Sequence, residues 1–152
     1  MLIAIDPGPV ESAYVILDKN LKPEFFGKVK NEFLLVILWE YRDTPLAIEM
    51  IASYGMATGA TVYETCVWIG RFIQVAPKRK FTKIYRKEVK INLCNSMKAK
   101  DGNIRQALID RFGVVGTKLD KGFFYGFKAD IWQAYAVGIT YYDMYLKGKG
   151  DK

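Results

Sequence analysis

The stretch Leu2-Ile3-Ala4-Ile5-Asp6-Pro7-Gly8-Pro9 sets the direction of the whole chain. A short apolar strand ends on a carboxylate, and the prolines with Gly8 then enforce a turn. Ser12-Ala13-Tyr14-Val15-Ile16-Leu17 follows as a second strand, Asp18-Lys19-Asn20 turns the chain back, and Phe25 to Lys30 makes a third. The opening therefore reads as an antiparallel meander. Asn31 is placed to cap a helix over Glu32 to Arg42, and Leu46-Ala47-Ile48-Glu49-Met50-Ile51 reads as a buried strand. Tyr54 to Gly59 is a glycine-containing loop. Ala60 to Val75 has helical spacing, with Val62, Cys66, Ile69 and Ile73 on one face. Phe81 to Tyr85 reads as a basic strand, and Lys87 to Cys94 and Asn103 to Phe112 as helices. Residues 113–126, with four glycines, form a loop. Lys128 to Tyr145 closes the chain as a helix with Ile131, Ala134, Tyr135, Gly138 and Tyr142 inward. Three hairpin-linked strands followed by alternating helix and strand indicate an α/β layer fold on a mixed sheet. No linker or repeat interrupts it, so one domain is expected over residues 1–146, with a flexible basic tail at 147–152.

Composition narrows the chemistry. The 152 residues are 51% apolar and 26% charged, globular values that exclude a disordered chain. No apolar run approaches the ~20 residues that span a bilayer, the longest being Phe33 to Trp39. The N-terminus enters a strand with no basic leader and no cleavage site, so a cytoplasmic protein is expected. Cys66 and Cys94 sit among apolar neighbours in helix-like segments and are expected to be buried free thiols. The chain has no histidine. That removes imidazole bases and His-ligated zinc, and leaves carboxylates, lysines or bound metal ions for any hydrolysis.

The net charge of +7 is unevenly spread. Residues 1–75 carry six basic and nine acidic side chains, whereas residues 76–152 carry seventeen and seven. Lys78, Arg79, Lys80, Lys83, Arg86, Lys87, Lys90, Lys98 and Lys100 face a single acid, Glu88, within one tract. A solvated helix face normally mixes signs, so this tract reads as the footprint of a polyanion, with binding that weakens steeply in salt. No amphipathic helix pairs these lysines with a bulky apolar face, which argues against a membrane surface.

Three acids stand out. Glu49 interrupts an apolar strand, where an unpaired carboxylate costs several kcal/mol and needs a cation, a metal or strong donors. Asp6 ends the first strand at a forced turn, a usual place for a reacting group. Asp130 falls in the first turn of the last helix, where the helix dipole favours its charge. If the first and fourth strands are neighbours, Asp6 and Glu49 lie side by side. Carboxylates that close repel, and Mg²⁺ or Mn²⁺ bound through oxygen relieves the repulsion. With a basic tract nearby, the set reads as a metal-dependent phosphodiester site.

The ordered set Ile3-Ala4-Ile5-Asp6-Pro7-Gly8, Glu49, the helix from Ala60, Arg86-Lys87-Glu88-Val89-Lys90, Lys98-Ala99-Lys100 and Lys128-Ala129-Asp130 resembles RuvC-type Holliday junction resolvases across nearly the whole chain. The segment Ile104 to Gly113 is most similar to phage-encoded members. The resemblance implies a ribonuclease H-like fold and a homodimer that nicks four-way DNA junctions with Mg²⁺ by two-metal-type phosphodiester hydrolysis. It also implies Asp6, Glu49 and Asp130 as metal ligands and catalytic residues, with Lys90 and Lys100 near the DNA backbone; whether forks and flaps are also cut is not read from the sequence. For a phage protein the compartment would be the host cytoplasm. Family members usually carry a fourth metal-binding residue three positions before the last acid. Phe127 stands there; either Asp101 or Asp120 replaces the missing acid, or the site holds its second ion weakly. The aromatic residue that usually follows the strand acid and stacks on a base is absent at Ala52, leaving Tyr54 for that role. Two other readings remain open at this level: a branched-DNA-binding protein with little cleavage, and a ribonuclease H-type nuclease on RNA–DNA hybrids.

Overall fold

A computed structural model describes residues 1–148. The basic tail expected at 147–152 lies outside the described residues from residue 149 onward. Strands β1 (Leu2–Asp6), β2 (Glu11–Leu17) and β3 (Pro23–Lys30) form the meander, followed by α1 (Asn31–Glu40), β4 (Leu46–Met50), α2 (Ala60–Gln74) and β5 (Phe81–Tyr85). Helices α3 (Arg86–Cys94), α4 (Asp101–Phe112) and α5 (Ile131–Tyr141) complete the fold, and α5 runs on as a π-helical turn over Tyr142–Leu146. The described residues form one sheet of order β3-β2-β1-β4-β5, antiparallel on the β3 side and parallel from β1 through β4 to β5. The mixed sheet expected from the sequence is the one observed.

Alternation along the strands divides the core into two layers. Ile3, Ile5, Ile16, Leu46 and Ile48 face α1 and α2, meeting Leu34, Leu38, Trp68, Ile69 and Phe72. Leu2, Ala4, Ala13, Val15, Leu17, Ala47 and Ile84 face α5 and the helices beyond it. Helix α5 lies close to β1 because Gly138 has no side chain: a Cβ there would come within 3.0 Å of the Ala4 methyl. With sheet on one side and Phe124, Phe127 and α4 on the other, α5 is buried all round rather than along one stripe.

Several local expectations are corrected. Asn31 is the first residue of α1 rather than its cap, and its side chain turns inward. There it accepts a 2.6 Å bond from the Ser12 hydroxyl and donates at 2.9 Å to the Gly8 carbonyl. A fully buried amide gains more from pinning the β1–β2 turn than from capping a helix end. The buried face of α2 runs through Thr65, Trp68, Ile69 and Phe72, a step round from the expected stripe, because Trp68 and Phe72 cover more sheet than Val62 and Ile73. Helix α5 begins at Ile131, after a turn in which Ala129 takes a left-handed conformation, and Tyr142 is only half-buried. The two cysteines are free as expected, but half-buried. None of the described helices is long and apolar enough to cross a membrane.

Candidate active site

The carboxyl edge of the two central parallel strands carries the acids. Ile5 pairs with Ile48 in the β1–β4 register, so Asp6 and Glu49 occupy the next rung on adjacent strands. Both belong to the α5-facing side of the sheet. Across β1, Asp6 pairs with Ala13 and Ala13 with Lys28, which extends the rung to a lysine on β3. Asp130 directly precedes α5 and reaches that lysine, its Oδ2 lying 2.7 Å from Lys28 Nζ. A cavity of about 280 Å³ opens over this edge, lined by Asp6, Glu49, Asp130, Asp101, Arg86 and Gln133 among others.

The electrostatics of this cavity are strained. The Asp6 and Glu49 carboxyl groups lie within hydrogen-bonding reach of each other. Burial, then the charges of Glu49 and Asp130, push the Asp6 carboxyl up to about 8, with Arg86 opposing. Burial also raises Glu49, against the pull of Arg86 and of hydrogen bonds from Asp6 and Gln133. Without an added cation, burial and mutual repulsion both favour a protonated Asp6 beside Glu49.

Other side chains supply partial relief. Gln133 Nε2 donates to both Glu49 oxygens at 3.3 and 3.2 Å. Arg86 Nη1 stands 3.9 Å from Glu49 Oε1, while its Nη2 bonds Asp101. As the side chains stand, no three Asp, Glu or Cys residues among those described come close enough to enclose a metal ion. Lys28 holds Asp130 aside, and Arg86 holds Asp101. The donor set nevertheless suits a hard divalent cation: all oxygen, two carboxylates in contact, and more negative charge than the pocket can neutralise.

The site was partly visible in sequence. Asp6 and Glu49 meet as their strands required, and Asp130 lies at the rim of the same cavity. Of the two candidates to replace the missing fourth acid, Asp101 lines the cavity, whereas Asp120 lies on the loop before α5 and is not part of its wall. Phe127 is 6% exposed and packed against Phe26, Phe124, Trp132 and Tyr135, with no access to the acids. Tyr54 also lines the cavity, 65% exposed and with φ of 49°.

The basic tract divides between the two ends of β5. Arg86, Lys87 and Lys90 follow the strand at the acid edge. Lys78 and Lys80 precede it, about 15 Å away at roughly 3.3 Å per residue. Lys83 is exposed on the strand itself, and Lys98 and Lys100 are exposed before α4. Arg79 is not on that surface: it is buried, neither terminal nitrogen has a partner among the described residues, and desolvation lowers its pKa. Sequence reading missed Gln133 and Lys28. The first sits three residues after Asp130, on the same helix face, and that spacing is a usable signal. The second becomes visible only once the strand register is known.

Strand order 3-2-1-4-5, helices on both faces and acids at the carboxyl edge of the central strands together define a ribonuclease H-like fold. The Thermus thermophilus RuvC structure shares it, with a TM-score of 0.65 at 17% identity over 93% of this chain and 94% of that one. T. thermophilus RuvC in complex with Holliday junction substrate gives 0.68 at 16% identity over 92% and 91%. At these identities the likeness is one of fold. No family model and no curated protein sequence matches the chain.

Proposed function

We propose that this chain is a divalent-metal-dependent, structure-selective DNA endonuclease of the RuvC type that nicks four-way junctions and related branched DNA. The observation that carries the reading is the contact between Asp6 and Glu49 at the carboxyl edge of β1 and β4. Two largely buried carboxylates on adjacent rungs, each raised by burial, are poorly explained as structure and well explained as half of a metal site. Asp6 and Glu49 would hold Mg²⁺ or Mn²⁺, with Asp130 as the third donor once it leaves Lys28. A divalent ion held there would supply the charge that activates a water and steadies the leaving 3′ oxygen. The water oxygen adds to phosphorus as the P–O3′ bond breaks, giving 5′-phosphate and 3′-hydroxyl ends. Gln133 keeps Glu49 oriented. Lys83, Lys87, Lys90, Lys98 and Lys100 are the surface cations offered to flanking phosphates, with Lys78 and Lys80 reaching a more distant duplex arm. Tyr54 is offered to an unpaired base.

The reading takes residues 1–146 as one nuclease domain, encoded by a phage and acting in the host cytoplasm. A symmetric junction needs two cuts, hence two copies. The exposed apolar side chains Phe33, Val36 and Trp39 of α1 and Tyr63 and Val67 of α2 suit such an interface, since both helices lie on the sheet face away from the acids.

A synthetic four-way junction with Mg²⁺ or Mn²⁺ tests the proposal. Nicking is expected, with Glu49→Gln and Asp130→Asn retaining junction binding and losing cleavage. Phe127 at the usual position of a fourth ligand favours the competing reading, a branched-DNA binder. That reading gains if the protein shifts the junction without nicking it. Preferential cutting of an RNA–DNA hybrid would move the assignment to a ribonuclease H-type activity.

A further inference from the structure

We propose that Arg86 is a catalytic residue that contacts the scissile phosphate, held in place by Asp101, and that the cavity therefore works with one divalent ion. The inference rests on the nuclease reading above and deepens it. Arg86 is the first residue of α3, directly after β5, and Tyr85 pairs with Met50, the residue after Glu49. The backbone therefore delivers its side chain to the same edge as the acids. The guanidinium lies against Glu49 at 3.9 Å and bonds Asp101 from the far side, yet stays about a third exposed, at 32%. A guanidinium has five N–H donors in a fixed fork, and the contacts to Asp101 and Glu49 leave several free toward the cavity. Those free donors and the fixed positive charge match the non-bridging oxygens of a phosphodiester.

Charge makes the same point. Phe127 is sealed into an aromatic cluster that offers no oxygen, and Asp101, the remaining acid lining the cavity, is bonded to Arg86 rather than free for a second ion. Arg86 supplies positive charge at the cavity wall without requiring a ligand set. Asp101 then serves as a positioning residue whose side chain, 85% exposed, steers the guanidinium toward the acids rather than outward.

The experiment pairs junction nicking with Mn²⁺ binding followed by electron paramagnetic resonance. One Mn²⁺ per wild-type chain is expected. Arg86→Ala should bind Mn²⁺ at least as tightly, because a competing cation is gone, yet nick about 10²–10³-fold more slowly. Free guanidinium ion should restore part of that rate, and Arg86→Lys should fall between the two. Asp101→Asn should slow the wild type but add nothing to Arg86→Ala. Three results would overturn the proposal: two Mn²⁺ per wild-type chain, Arg86→Ala nicking within about threefold of wild type, or a deficit untouched by guanidinium and accompanied by lost Mn²⁺ affinity. A wild type that neither nicks nor binds Mn²⁺ sinks the nuclease reading itself, and this inference with it.

Discussion

Asp6→Asn should stabilise the metal-free protein at pH 8 while destroying its activity. The Asp6 carboxyl sits at about 8 in the folded protein against an ordinary 3.8, so between those values the folded chain keeps a proton that the unfolded chain releases. Stability from this group is therefore complete below about pH 4 and drains away as pH rises toward 8. Four units at about 1.4 kcal/mol each set an upper figure near 6 kcal/mol, and relaxation with water entry brings the expectation to about 3 kcal/mol. Glu49 is shifted in the same direction and adds to the slope. Asp143, lowered by its bonds to Arg111 and Asn92 although burial alone would raise it, has the opposite sign but acts only below the ordinary carboxylate range. The assay is urea unfolding in EDTA at pH 5 and pH 8. Wild type should lose about 3 kcal/mol across that interval, Asp6→Asn clearly less because only the burial-raised Glu49 then contributes, and millimolar Mg²⁺ or Mn²⁺ should restore wild type at pH 8. A wild type no less stable at pH 8 than at pH 5, or an Asp6→Asn variant with the same slope, would refute the reasoning.

Two further outcomes follow from the packing. Asn31→Ala removes the partner of Ser12 and Gly8 in a buried site and should cost about 2 kcal/mol in urea unfolding, with slower nicking because the turn after Asp6 loosens. Val36→Glu with Val67→Glu, both exposed in the monomer, should leave the melting temperature within a few degrees while converting a dimer to monomer in sedimentation.

The meander and the parallel strands were legible because alternation and turn residues speak locally, and β1 and β4 are apolar on both faces. Glu49 announced itself by being charged in such a strand. The last helix began later than its composition suggested, since nothing local marks the left-handed Ala129 that ends the preceding turn. Asn31 looked like a cap because capping is a local preference, and its actual partners, Ser12 and Gly8, are brought to it by the meander. Charge counting found the basic tract but not its division, because only the direction of β5 decides that Arg86 joins the acids while Lys78 lies at the other end. The burial of Arg79 was likewise invisible: its neighbours in sequence are exposed lysines.

Diffraction from Mn²⁺-soaked crystals, read at the manganese absorption edge, is the most direct probe of the acid cluster. An anomalous peak within coordinating distance of both Asp6 and Glu49, with Asp130 turned from Lys28 toward it, is the expected result. A cavity without a peak at millimolar Mn²⁺, with Asp130 still paired to Lys28, would contradict the metal site and the chemistry built on it.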